Sequence, residues 1–370
     1  PPRSTLFPYT TLFRSAQIAT LSAAQLQALT TTDLAGLTST QLSGLTASQA
    51  GHLPADRLAA LSATQIGGLS VAFVAGLSGQ QVTGLTGTQL SALSTTQFAA
   101  LTSTQIAALS TTQLDSLTPA RLNGFSATQE AALTATQFAS LSTTQLAGLN
   151  AGFMSHLNAT QLAALLPSQL QVVTPEALGA APASALFGLG TGHINALSAE
   201  QVNGLATSQI QSLTTTQIQD LTTTAIAGMT GTQLSALLRV QLRSLSSQQI
   251  AATTAARMGG MSTTQVSNLA GSQLQALTST QFGQLSATQI GALSTTQFSN
   301  LAPAQVGQLS AVQLTGVKLE QIAALTTGQI AALTPYQFHS MTEAQLRSFT
   351  GSQLAAMTTE QQDAINAALA

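Results

Sequence analysis

An eight-residue repeat that runs without a single insertion or deletion constrains this chain more than any other feature. Leu93-Ser94-Thr95-Thr96-Gln97-Phe98-Ala99-Ala100 is followed by Leu101-Thr102-Ser103-Thr104-Gln105-Ile106-Ala107-Ala108, and Leu109 begins again. Stepping by eight from Leu21 to Ile365 gives 44 positions, of which 33 are Leu, with Ala181 and Thr253 the clear departures from apolar character. A second apolar slot runs from Ile18 to Gln362 and is broken only at Ala50, Glu130 and Gln362. The slot before it holds Gln in 34 of 44 cases. Loops tolerate changes of length, so an array with none has no free loop. Each octad must be a structural unit whose length is set by stacking on its neighbours.

The period decides among backbones. In a continuous helix, eight residues at about 100° each leave a drift of about 80° per repeat, and no apolar stripe survives. In a strand, slots five and three residues apart fall on opposite faces and the alternation is missing. A β-solenoid stays open because Thr and Ile favour strands. A short helix in every octad satisfies more of the pattern. With Leu93 preceding the cap and Ser94 as N-cap, Gln97 falls at the third helical position and Phe98 at the fourth. Ser/Thr paired with Gln three residues on is a capping box, and the flanking apolar pair is a hydrophobic staple. The N-cap slot holds Ser or Thr in 32 of 44 octads, and Asn150, Asn158 and Asn366 cap as well.

Proline tests this independently. Pro119, Pro167, Pro175, Pro303 and Pro335 all fall at the first helical position, where the missing N–H costs nothing. Pro54 and Pro182 fall at the N-cap. Acids also gather in the first turn: Asp56, Glu176, Glu200, Glu320 and Glu360 at the second position, Glu343 at the first and Asp33 at the third. Basic residues show no matching bias. A helix of about six residues cannot stand alone, so both apolar slots must be buried against other octads. The usual Ala, Gly or Ser before each leucine suits a tight turn or a close approach. The expected fold is all-α, a solenoid of very short helices spanning 16–370 as one array. Its degenerate repeats lie at 166–193 and its polar C-terminal cap at 358–370. Polarity at Glu360, Gln361, Gln362 and Asp363 reads as a terminal cap, and so as a genuine chain end.

Residues 1–15, PPRSTLFPYTTLFRS, share nothing with the repeat. They resemble, through all fifteen codons, one translated frame of a common sequencing adapter, which implies that they are no part of the fold and that the natural N-terminus is missing. Without Arg3 and Arg14, seven basic residues face eleven acidic ones, a net charge of −4.

Few residues suggest chemistry. Charged residues make up 5% of the chain, which argues against a nucleic-acid partner, since that needs a basic face. The absence of Cys removes disulfides and thiolate chemistry. No apolar run approaches a membrane span. His52, His156, His193 and His339 are far apart in sequence and are expected not to meet, so neither a metal nor another cofactor is expected. No catalytic residue stands out, and a non-enzyme is expected. Gly188, Gly190 and Gly192 lack the lysine of a phosphate loop. Phe73 and Phe153 take Gln slots and read as extra core. Glu130 takes a core slot, where an unpaired carboxylate is costly; it reads as a partly exposed slot or a sequence error, with a site as the alternative. Arg239, Arg243 and Arg257 read as a solvated face. Asn158-Ala159-Thr160 matches a glycosylation sequon.

The array L-[ST]-x-T-Q-[LIFV]-x-x, over residues 16–370, resembles the octapeptide tracts of large bacterial proteins, some of them surface- or adhesin-like. The resemblance implies a structural or adhesion module of an exported protein, at the cell surface or outside the cell, with a protein or cell-surface partner, and carries no catalytic residues. Two alternatives follow from the pattern. One is a protein-interaction scaffold, read from the variable slot holding Gln27, Asp115, Asn123, Arg243 and His339. The other is an ice- or surface-binding array of threonines.

Overall fold

A computed structural model of the protein describes residues 14–370. Among them are 43 short α-helices and one 3₁₀ helix, with no strand. The fold is an all-α solenoid and the β-solenoid is set aside. Arg14 and Ser15 belong to the array despite their place in the adapter-like segment, whose other residues lie outside those described. Ser15–Ile18 is the first helix, and the Arg14 N–H donates to Gln17 Oε1 at 2.8 Å. That bond uses only the backbone of the N-cap, so any non-proline residue can complete it.

The octad 93–100 shows how each helix starts and stops. The Ser94 N–H donates to Gln97 Oε1 at 2.6 Å, and the Gln97 N–H donates to Ser94 Oγ at 3.2 Å. The helix Thr95–Ala99 follows, its start fixed by this box. Leu93 and Phe98, the two staple residues, are both buried. Each helix ends because the next leucine leaves in extended conformation; Leu93 itself has φ −61° and ψ 136°. The following N-cap is extended too, so the link is two residues after a six-residue helix and three or four after a shorter one. No described residue has positive φ. The small residues before each leucine therefore do not serve a left-handed turn. They serve close approach: a Cβ on Gly316 would lie 1.9 Å from the Ala287 carbonyl oxygen, and one on Gly228 would lie 2.5 Å from that of Ala199.

All five prolines expected at the first helical position are found there, and Pro54 and Pro182 precede their helices as N-caps. The Glu200 carboxyl, in the first turn of Ala199–Gly204, is held below its ordinary value by its own backbone N–H and by the Ser198 hydroxyl. The frame fails once. Thr359–Leu369 is one helix of 11 residues that runs straight through Asn366, which caps nothing. Leu369, not glutamine, stands three residues after Asn366, so no capping box forms there to start a new helix.

The described residues divide into two compact units, 14–196 and 197–370. In each, a helix packs against the helix three octads away: Gly87–Ala92 on Ala63–Gly67 in the first, Pro303–Gly307 on Thr327–Ala332 in the second. The two apolar slots face inward and form the core of each unit. Burying one such leucine is worth about 1.5–3 kcal/mol, which offsets the cost of ordering helices too short to form alone.

Candidate functional site

The glutamine slot does more than cap its own helix. Gln329 Oε1 accepts from the Thr326 N–H at 2.9 Å, while its Nε2 donates to the carbonyls of Leu301 at 2.8 Å and Phe298 at 3.0 Å. Those carbonyls lie 28 and 31 residues earlier, at the C-terminal end of a helix four octads back. Gln137 repeats the pattern in the first unit, donating to Leu109 and Ile106 at 2.7 and 3.0 Å. One amide thus satisfies a donor at the start of one helix and acceptors at the end of another. With helices packing three octads apart and glutamines reaching four, a turn of the solenoid holds between three and four octads. Octads distant in sequence by that interval do meet.

Arg121, Arg257 and His193 meet the donor half of the same demand. Arg121 Nη2 donates to the Leu93 carbonyl at 2.8 Å, 28 residues back, and its guanidinium lies 5.2 Å from the Phe98 ring centroid. Arg257 donates to the Ala227 carbonyl, so it belongs to the lattice of the fold and not to a solvated face. His193 takes both bonds: Nδ1 accepts from the Gly190 N–H at 3.3 Å and Nε2 donates to the Leu165 carbonyl at 2.6 Å. The two octads with proline at the N-cap carry Arg57 and Ala185 in this slot; proline has no N–H to offer, so the acceptor is not required. Phe73 and Phe153 are fully buried and act as core. No buried side-chain polar atom among the described residues lacks a partner.

The four histidines have four environments. His52 is exposed, His193 is a ladder residue, and His339 Nδ1 lies 2.8 Å from the Pro335 carbonyl on an exposed surface. Among the described residues no group of three or more potential metal ligands converges. Asn158, in the sequon, is exposed and caps its helix through Oδ1, which accepts from the Gln161 N–H at 3.0 Å.

His156 meets Glu130. Its Nδ1 lies 2.6 Å from Glu130 Oε2, across 26 residues of sequence. Glu130 is not partly exposed: 2% of its surface reaches solvent, while the His156 side chain is 46% exposed. Burial holds the Glu130 carboxyl above its ordinary value, and the hydrogen bond and charge of His156 offset only part of that. The Glu130 carbonyl still receives its ladder bond, from Gln161 Nε2 at 2.8 Å. The pair can share a proton between carboxyl and ring. It does not activate the adjacent Ser155, whose hydroxyl donates to the Gly152 carbonyl at 2.7 Å. The signal for the pair was available in the sequence as a lone acid in an apolar slot, but its partner was not.

No protein-family model matches the chain and no curated protein aligns with it. Among the described residues no helix is long and apolar enough to cross a membrane. The class the geometry defines is a helical repeat protein laced by glutamine side chains.

Proposed function

We propose that the chain is a non-enzymatic structural module of adhesion type, exported to the cell surface, whose repeat serves to hold its form under load. The observation that carries this reading is the glutamine ladder. Each rung, as at Gln329, ties the start of one helix to the end of another a turn away. A pull along the chain must break these bonds and expose two apolar slots per octad, and it can do so one turn at a time because contacts reach only three to four octads. The scaffold reading is less favoured. Several side chains of the variable slot are committed to the fold: Asn123 Nδ2 donates to the Gly148 carbonyl at 2.8 Å and Gln275 Nε2 to that of Asn300 at 2.6 Å.

Single-molecule force spectroscopy on the full chain tests the proposal. The expected record is a series of small reversible steps, each releasing about 28 residues, or about 90–100 Å of extended chain. One all-or-none rupture that fails to recover over repeated cycles would overturn it. Protection of the protein from an impermeant label on intact producing cells would remove the surface location.

A further inference from the structure

We infer that the face around Lys318, in the second unit, binds a glycan that carries carboxylate groups. Lys318 is the only lysine of the chain. It occupies an N-cap slot in place of serine or threonine, and its N–H still donates to Gln321 Oε1 at 2.8 Å, so the fold does not need its side chain. Among the described residues its ammonium has no ion-pair or hydrogen-bond partner, and neither has the Arg243 guanidinium.

Two clefts border Lys318. One, of about 520 Å³, is also lined by Arg243, Ser294, Gln297 and Asn300. The other, of about 540 Å³, is lined by Thr263, Thr288 and Thr315 over a floor of small residues that includes Gly291 and Gly316. Both volumes fall within the roughly 300–1,000 Å³ typical of ligand clefts, and they share Lys318 and Ala292. The first opens because the cap position and first helical residue of its octad are Ala270 and Gly271, which fill little space. Gln297 is consequently only half-buried, while Gln289 and Gln305, one octad to either side, are buried.

The lining chemistry selects the ligand. Hydroxyls and amides are prominent in the first cleft, three threonines stand over an apolar floor in the second, and no aromatic side chain lines either, so a base-stacking ligand finds no platform. Hydroxyls of a sugar match such a surface, and the two unpaired cations match carboxylates. Glu320 also lines the first cleft; its charge leaves a net of one positive, which suits a ligand of spaced single charges and opposes a phosphate or a nucleic acid. Adjacent clefts that share a cation suit consecutive units of one strand.

Calorimetric titration of the full chain at low ionic strength tests this, with oligogalacturonate as probe, a neutral malto-oligosaccharide of equal length as the first comparison and citrate as the second. The expected result is binding of oligogalacturonate alone, weakened about fivefold by Lys318→Gln and by Arg243→Gln, and by added salt. Arg239→Gln, exposed in the same octad as Arg243 but outside the cleft, should leave it unchanged, and circular dichroism should show all variants folded. No binding, equal binding of the neutral sugar, or indifference to Lys318→Gln overturns the inference. Citrate binding with the same affinity and the same dependence on Lys318 would show a bare carboxylate site and overturn the glycan assignment. None of these outcomes bears on the response to force, which rests on the ladder alone.

Discussion

The imidazole of His193 substitutes for a glutamine amide, placing Nε2 2.6 Å from the Leu165 carbonyl and Nδ1 3.3 Å from the Gly190 nitrogen. One ring offers an acceptor to its own helix and a donor to another, as the amide does. His193→Gln should therefore preserve both bonds and change local stability by less than about 0.5 kcal/mol, whereas His193→Leu should cost about 1–3 kcal/mol by stranding both groups. Hydrogen exchange at the Gly190 amide reads this directly: faster in the leucine variant and unchanged in the glutamine variant.

Gln329→Glu separates the two roles of the ladder. A glutamate still accepts from the Thr326 N–H, but it has no donor for the Leu301 and Phe298 carbonyls and sets a negative charge against them. The expected loss is about 2–4 kcal/mol at neutral pH, larger than the loss of about 1 kcal/mol for Thr326→Ala, which removes only the cap hydroxyl. Denaturant melts of the two variants side by side should show this order; equal losses would mean that capping is the whole of the glutamine's contribution.

Glu130 gives a pH dependence with a definite sign. Burial raises its folded-state pKa, so the folded protein holds that proton more tightly than the unfolded chain. Its contribution favours folding below the ordinary carboxylate value and declines as pH rises through the raised one. Glu130→Leu, which places the commonest residue of that slot there, should abolish that slope and add about 1–3 kcal/mol at pH 7. Melts of both proteins between pH 4 and pH 8 check it, and parallel curves would count against the assignment.

Two glycines predict opposite signs. A Cβ on Gly316 would lie 1.9 Å from the Ala287 carbonyl oxygen, while one on Gly351 would meet nothing within 4 Å. Gly316→Ala should destabilise by about 1–3 kcal/mol, because backbone must move. Gly351→Ala, in the first turn of Gly351–Ala355, should stabilise by about 0.4–1 kcal/mol. Thermal melts of the two variants settle the contrast.

The local half of this structure is legible in the sequence because capping is local. Ser94 and Gln97 meet within three residues, and prolines report the helix start by what they lack. Which octads meet is not legible, because a strict period makes every octad an equal candidate for every other. His156 could not be assigned to Glu130 without knowing that a turn holds between three and four octads. One signal for the ladder stands in the sequence itself. A capping box accepts glutamate as readily as glutamine, and the helix dipole would prefer it, yet no glutamate stands among the 44 residues of the slot. Arginine and histidine do. Asp33 is the one acid in the slot, against four Arg or His residues, and that preference for an N–H donor among its polar replacements is explained by a partner elsewhere in the chain.

The ladder also sets a problem of address. A shift of pairing by eight residues exchanges one leucine for another and one glutamine acceptor for an equivalent one, so regular octads cannot distinguish correct alignment from a neighbouring one. Only residues that break the pattern carry position. A shifted register would part the buried Glu130 carboxyl from His156, the side chain that meets it at 2.6 Å. His193, the proline-capped octads and the closely approached glycines are the other landmarks, and the correct winding of a nearly uniform chain depends on its few irregular residues.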